Sequence, residues 1–97
     1  MLTAEEILDR LRELKSELVT RYRVTEIGLF GSVVSGEQKA NSDIDLLVEF
    51  GEGADLFDLI GLSLYLEEEF GCRVDVVPRK ALREELREVV LGQVVEV

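Results

Sequence analysis

Ninety-seven residues, 46% hydrophobic and 33% charged with one Pro and eight Gly, are enough for one domain around one core and exclude a disordered segment. With 21 Asp and Glu, 11 Lys and Arg and no His, the chain carries a formal charge of −10 (11 − 21), which argues against a freely accessible nucleic-acid groove and favours a basic protein partner or cations held on clustered carboxylates. A single cysteine, Cys72, excludes an intrachain disulfide and a cysteine zinc site; with no signal-peptide pattern at Met1-Leu2-Thr3-Ala4-Glu5-Glu6 and no apolar run of about 20 residues, a cytoplasmic protein without membrane attachment is expected.

Thr3 and Glu6 have capping-box spacing, and Ile7, Leu11, Leu14 and Leu18 follow at helical intervals, which predicts an opening helix of about 16 residues. Residues 25–30 are rich in β-formers and stop at Gly31-Ser32, so they read as a strand entering a tight turn, followed by a short helix over 33–35 and a polar loop over 36–42. The clearest strand is 43–50, where Ile44, Leu46, Val48 and Phe50 alternate with Asp43, Asp45, Leu47 and Glu49. After a Gly-Glu-Gly turn, a helix over 55–70 carries Leu56, Phe57, Leu59, Ile60, Leu64 and Phe70, with Asp55 and Asp58 as helix-start acids and Gly71 as its stop. A third strand covers 73–77. Pro78 then opens a helix carrying Leu82, Leu86 and Val89, which Gly92 breaks, and residues 94–97 add a short edge strand. The order predicts an α/β (α+β) fold over residues 1–97 as a single domain, in which a small mixed sheet of three to four strands packs against helices, with no repeat and no linker.

The chemistry lies in three acids and one turn. Asp43 and Asp45, two apart on a strand, project from the same face about 6–7 Å apart, a spacing at which oxygen ligands can hold hard cations such as Mg2+. Two such ions serve both the attacking and the leaving oxygen of an in-line displacement. Asp75 supplies a third carboxylate if its strand pairs beside residues 43–50, and three acids among Ile, Leu and Val would otherwise repel one another and raise their pKa values. Gly31-Ser32 sits between a strand and a helical turn, where backbone amides and a hydroxyl can receive phosphate oxygens. Taken singly, a Gly-Ser pair reads as a strand terminator, and a lone Asp-x-Asp is more often a solvated strand face or turn than a metal site.

The combination is more specific. Leu29-Phe30-Gly31-Ser32, ten intervening residues, then Asp43-Ile44-Asp45-Leu46-Leu47-Val48-Glu49-Phe50, with a central helix and a Val74-Asp75-Val76-Val77 strand, resembles the signature of the DNA-polymerase-β-like nucleotidyltransferase superfamily, most closely its minimal MNT branch. The resemblance covers nearly the whole chain. It implies Asp43 and Asp45 as metal ligands, Asp75 as the third carboxylate near the acceptor, and Gly31 with Ser32 as the triphosphate turn. It further implies Mg2+, as two ions or with Mn2+ in its place, and transfer of AMP from ATP to a tyrosine of a HEPN-type ribonuclease toxin, for which the chain is the antitoxin. The short chain has no room for nucleic-acid-binding modules, so a protein hydroxyl suits the acceptor better than a polynucleotide end. One departure from the pattern is Val34-Ser35-Gly36, where the family commonly has Ala-Arg-Gly. The missing guanidinium would have placed positive charge near the phosphates. Arg21, Arg23, Arg73 and Lys39 are either substitutes for it or solvated surface charges.

Two rival functions use the same residues: a steric antitoxin on the same fold with catalysis weak or lost through Ser35, and a metal-dependent phosphohydrolase. The remaining features read as structural. Cys72 has no His to activate it, Tyr22 and Tyr65 are packing groups or base-stacking platforms, and Glu67-Glu68-Glu69 form a wet helix face. Arg79, Lys80, Arg83 and Arg87 form a basic helix stripe expected to pair with Glu84, Glu85 and Glu88.

Overall fold

A computed structural model describes residues 2–36 and 43–97. The expected capping box opens helix α1 (Ala4–Tyr22): the Glu6 N–H donates to Thr3 Oγ1 and the Thr3 N–H to Glu6 Oε1, both at 3.1 Å. The helix outlasts its predicted length because Arg23 adopts the left-handed conformation (φ 57°) and donates its N–H to the Leu18 carbonyl. A non-glycine residue in that conformation needs support. Here the Arg23 guanidinium donates to the Gly53 carbonyl.

Strand β1 (Val24–Phe30) leads through Gly31 into the one-turn helix α2 (Ser32–Ser35). Apart from Gly36, the predicted 36–42 loop lies outside the described residues, as does Lys39. Strand β2 (Ile44–Phe50) is followed by helix α3 (Leu56–Phe70), whose Asp55 and Asp58 form a reciprocal capping box and whose Gly71 caps the C-terminus at φ 68°. Strand β3 (Val74–Pro78), a 3-10 turn (Arg79–Ala81), helix α4 (Glu84–Gln93) and strand β4 (Val95–Glu96) complete the chain.

The sheet order is β3-β2-β1-β4, with β1 antiparallel to β2 and β4, and β2 parallel to β3. The expected mixed sheet is therefore present, with four strands among the described residues. Ile7, Leu11, Leu14 and Leu18 of α1 and Leu62 and Leu66 of α3 pack on Ile27, Leu29, Ile44, Leu46, Val48 and Val74, which points the even-numbered apolar residues of β2 at this helical layer. Leu47 points the other way and packs with Leu82 and Val90 against Phe30, Val77 and Val94. Both faces are thus anchored by apolar contacts, which pins the strand register, since a one-residue slip would exchange the faces.

The structure departs from the sequence pattern at three places. Pro78 ends β3 opposite Val48 instead of opening a helix, which suits an edge position where its missing N–H costs nothing, and α4 starts only at Glu84 and runs through Gly92. Arg79 is not part of a helical stripe. It reaches across the sheet to Glu96, Glu26 and Glu49 at 3.4, 3.5 and 3.7 Å, and among the described residues no ion pair joins Lys80, Arg83 or Arg87 to Glu84, Glu85 or Glu88. The Glu67-Glu68-Glu69 run is not uniformly wet: Glu67 accepts the Val74 N–H at 3.2 Å, and Glu69 accepts from Arg10 at 2.6 Å. On α3, apolar residues occur all round, so periodicity does not select the buried side; Leu56, Phe57, Ile60 and Leu64 are exposed. No helix among the described residues is long and apolar enough to cross a membrane.

Candidate active site

The turn after β1 is built around a space that only glycine leaves open. Gly31 has φ 82° and ψ −152°, and a Cβ placed there would stand 2.2 Å from Asp45 Oδ2. The carboxylate therefore fills the space beside the turn, and any side chain at residue 31 would expel it. From Gly31, the carbonyl accepts the N–H groups of Val34 (3.1 Å) and Ser35 (3.0 Å), closing α2. The N–H groups of Ser32 and Val33, at the start of this helical turn, have no intrahelical acceptor. Ser35 is exposed, and its hydroxyl donates to the Ser32 carbonyl at 3.3 Å.

The acids arrive from two adjacent strands. The parallel register sets Asp45 beside Asp75, with Ile44 beside Val74 and Leu46 beside Val76. Alternation then sends the apolar partners into the helical layer and the two aspartates out of the opposite face, at the interstrand spacing of about 4.8 Å. The condition on which Asp75 could join the other acids is thus met. Asp43 stands two residues before Asp45 on the same face, and the Ile44 N–H donates to the Arg73 carbonyl at 3.0 Å, so the backbones of the two strands are joined at this point. Arg73 Nε lies 4.0 Å from Asp43 Oδ1.

Electrostatics single out Asp45. Burial raises its pKa first, then the nearby charges of Asp75 and Asp43, and among the described residues no ion pair or side-chain hydrogen bond compensates it. Asp75 is exposed and Asp43 half-exposed, so their carboxylates have room to turn. Among the described residues, no three His, Cys, Asp or Glu side chains form a finished metal cage. A partly buried carboxylate, two like charges beside it and oxygen-only donors nevertheless fit a hard divalent cation whose remaining ligands are phosphate and water oxygens.

Ser35 stands where the family pattern has an arginine, and of Arg21, Arg23 and Arg73 only Arg73, among the described residues, reaches a site carboxylate. Arg21 lies over the Tyr22 and Tyr65 rings at 5.2 and 5.1 Å, and Arg23 is held at the opposite end of β1 from Gly31. The two tyrosines pack on each other with ring centroids 5.7 Å apart, between α1 and α3, on the far side of the sheet from the carboxylates. They are packing groups. Cys72 is exposed rather than packed, and its thiol is pushed up by partial burial and then by Asp43 and Glu67, which keeps it protonated. Glu67 escaped sequence reasoning; by accepting the Val74 N–H it ties α3 to the start of the strand that carries Asp75. A cleft of about 330 Å³ lined by Phe50, Leu56, Leu59, Pro78 and Arg79 lies at the other end of β2 and includes none of the three aspartates.

Comparison with known proteins agrees with this fold. Residues 11–95 match the family model for the nucleotidyltransferase domain. The chain is 47% identical over 97 residues to the protein adenylyltransferase MntA of Thermococcus cleftensis, covering all of this chain and 98% of that relative. It resembles a solved structure of a minimal nucleotidyltransferase with a TM-score of 0.84 at 38% identity, covering 99% of this chain and 97% of that one. A crystal structure of a toxin–antitoxin with AMP-PNP matches with a TM-score of 0.70 at 27% identity, over 87% of this chain and 69% of that one.

Proposed function

The chain belongs to the nucleotidyltransferase-domain family, and from that premise we propose that it is a protein adenylyltransferase and antitoxin, which moves AMP from ATP onto a tyrosine hydroxyl of a HEPN-type ribonuclease toxin. The observation that carries the reading is the pairing of Asp45 with Asp75, beside a Gly31 turn that has no room for a side chain. The adenylyltransferase activity of the MntA relative and the ATP analogue in the toxin–antitoxin structure support ATP as donor and a toxin as acceptor.

In this reading Asp43, Asp45 and Asp75 hold Mg2+, as two ions, with Mn2+ as a substitute. Such ions, when bound, neutralise the triphosphate and the charge that develops during displacement. The chain's own residues do the rest. Gly31 and Ser32 receive triphosphate oxygens at the β1 flank, where the turn exposes backbone N–H groups and a hydroxyl. Asp45, partly buried, fixes the centre of the site. Asp75, exposed on β3, faces the incoming acceptor and takes the hydroxyl proton as the oxygen attacks the α-phosphorus and pyrophosphate leaves. A general base must be within reach of that proton, and Asp75 is the most open of the three acids. The formal net charge of −10 attracts a basic protein and disfavours direct contact with nucleic acid. We place this activity in the cytoplasm and assign residues 1–97 to one domain.

The test is intact-mass spectrometry of the cognate toxin after incubation with this protein, ATP and Mg2+. Gain of adenylate on a tyrosine is the expected result. A stable complex that silences the ribonuclease without any gain in mass would replace this reading with the steric antitoxin.

A further inference from the structure

On the carboxylate face Asp45 pairs with Asp75 across the parallel ladder, and just before the first residues of β2 and β3 the Arg73 guanidinium lies 4.0 Å from Asp43 Oδ1. We propose that Arg73 is a catalytic residue, whose guanidinium donates hydrogen bonds to a non-bridging oxygen of the α-phosphoryl group from the flank on which the acceptor enters. The proposal rests on the nucleotidyl-transfer reading above.

Arg73 lies one residue before β3 and two before Asp75, and the 4.0 Å from its Nε to Asp43 Oδ1 puts the guanidinium beside the carboxylates. Its backbone is fixed there by the Ile44 N–H to Arg73 carbonyl bond. The side chain is not committed. It makes one long contact, Nε to Asp43 Oδ1 at 4.0 Å, and is 83% exposed, which leaves both terminal nitrogens of the guanidinium facing solvent. Such an exposed ion pair is weak, and a phosphoryl oxygen can replace it. The fork of N–H donors also matches the planar spread of phosphoryl oxygens better than a point charge does.

Topology decides the flank. The Gly31-Ser32 turn lies at the end of β1 on one side of β2, and β3 with Asp75, preceded directly by Arg73, lies on the other. Positive charge for the triphosphate turn is wanting at Ser35, whereas the acceptor flank has Arg73. The other candidates are occupied elsewhere: Arg79 by three glutamates, Arg21 by two tyrosine rings and Arg23 by the Gly53 carbonyl. In the reaction the acceptor oxygen bonds to the α-phosphorus, the bond to the bridging oxygen breaks, pyrophosphate leaves with that electron pair, and the acceptor proton passes to Asp75. Arg73 exchanges no proton and meets the negative charge on the equatorial oxygens.

The test compares wild-type protein with Arg73→Gln and Arg73→Lys, each as the full chain with the cognate toxin and Mg2+. Transfer is measured with ATP and with the two α-thio diastereomers of ATP, and donor binding with non-cleavable α,β-methylene-ATP. For Arg73→Gln the expected results are a fall of about a hundredfold in kcat, nucleotide affinity within about threefold of wild type, and partial recovery with Lys. The wild-type preference between diastereomers should shrink, because the variant no longer distinguishes one non-bridging oxygen. A kcat within about twofold of wild type, a loss accounted for entirely by weaker nucleotide binding, or an unchanged diastereomer preference would overturn the assignment. Wild-type protein that transfers no adenylate removes the underlying reading and the proposal together, whereas active wild type with an unaffected Arg73→Gln removes the proposal alone.

Discussion

Replacing Asp45 by Asn should stabilise the metal-free protein while abolishing transfer. Asp45 is partly buried, faces Asp75 across a parallel ladder and has its pKa raised by burial, then by Asp75 and Asp43. Two unit charges about 5 Å apart at an effective dielectric of about 40 to 80, chosen because Asp75 is exposed, repel by about 0.8–1.7 kcal/mol. Asn keeps the shape beside Gly31 and removes this repulsion. For a domain of this size a gain of about 1 kcal/mol raises the melting temperature by about 4–8 °C. The pH dependence has a definite sign: because the folded-state pKa of Asp45 is raised, its contribution to stability is fully present below the unfolded-state pKa and is lost as pH rises through the folded-state value. The advantage of Asp45→Asn should therefore be largest at neutral pH and vanish near pH ~3, where Asp45 is protonated in both states. Thermal melts followed by circular dichroism in EDTA at both pH values measure this, and parallel melts with Mg2+ and ATP should stabilise wild type but not the variant. A variant that melts below wild type in EDTA at neutral pH, or by the same margin at both pH values, would refute the electrostatic reasoning. Transfer near the wild-type rate would refute the placing of a metal ligand at Asp45.

Gly31→Ala should destabilise the protein by about 1–3 kcal/mol and suppress transfer, because φ 82° is strained for alanine and its Cβ would displace the Asp45 carboxylate; chemical denaturation measures the first effect. Ser35→Arg should raise the transfer rate about tenfold, equivalent to about 1.4 kcal/mol in barrier, by restoring positive charge near the phosphate turn; radiolabelled adenylate transfer would show a flat or lower rate if the new guanidinium points away. Complex formation with the cognate toxin should weaken as NaCl rises past the concentration at which the Debye length is about 10 Å, as titration calorimetry can follow; affinity independent of salt would show that charge attraction is not the driving term.

Much of this protein is legible from neighbouring residues alone. The Thr3–Glu6 and Asp55–Asp58 boxes place two helix starts, alternation over Asp43 to Phe50 separates the face of β2 that carries the acids from the wholly apolar one, and Gly31 marks the turn; each follows from backbone geometry within a few residues. The sheet's strand order and the side of α3 that is buried depend on contacts between distant segments. Asp75 becomes a neighbour of Asp45 only because β3 returns parallel to β2, and Leu62 and Leu66 are buried while Leu56 and Phe57 are not because α1 and the sheet occupy one side of a helix apolar all round. Pro78 and Arg23 depart from local rules for the same reason: a free sheet edge tolerates the missing N–H of one, and the distant Gly53 carbonyl holds the other in a left-handed cap. Charged side chains are the least legible, since Arg21, Arg23, Arg73 and Arg79 look alike in the chain. Only tertiary structure assigns Arg79 to three glutamates and Arg73 to the carboxylate face, because long flexible side chains take their partners from whatever charge the fold brings within a few ångströms.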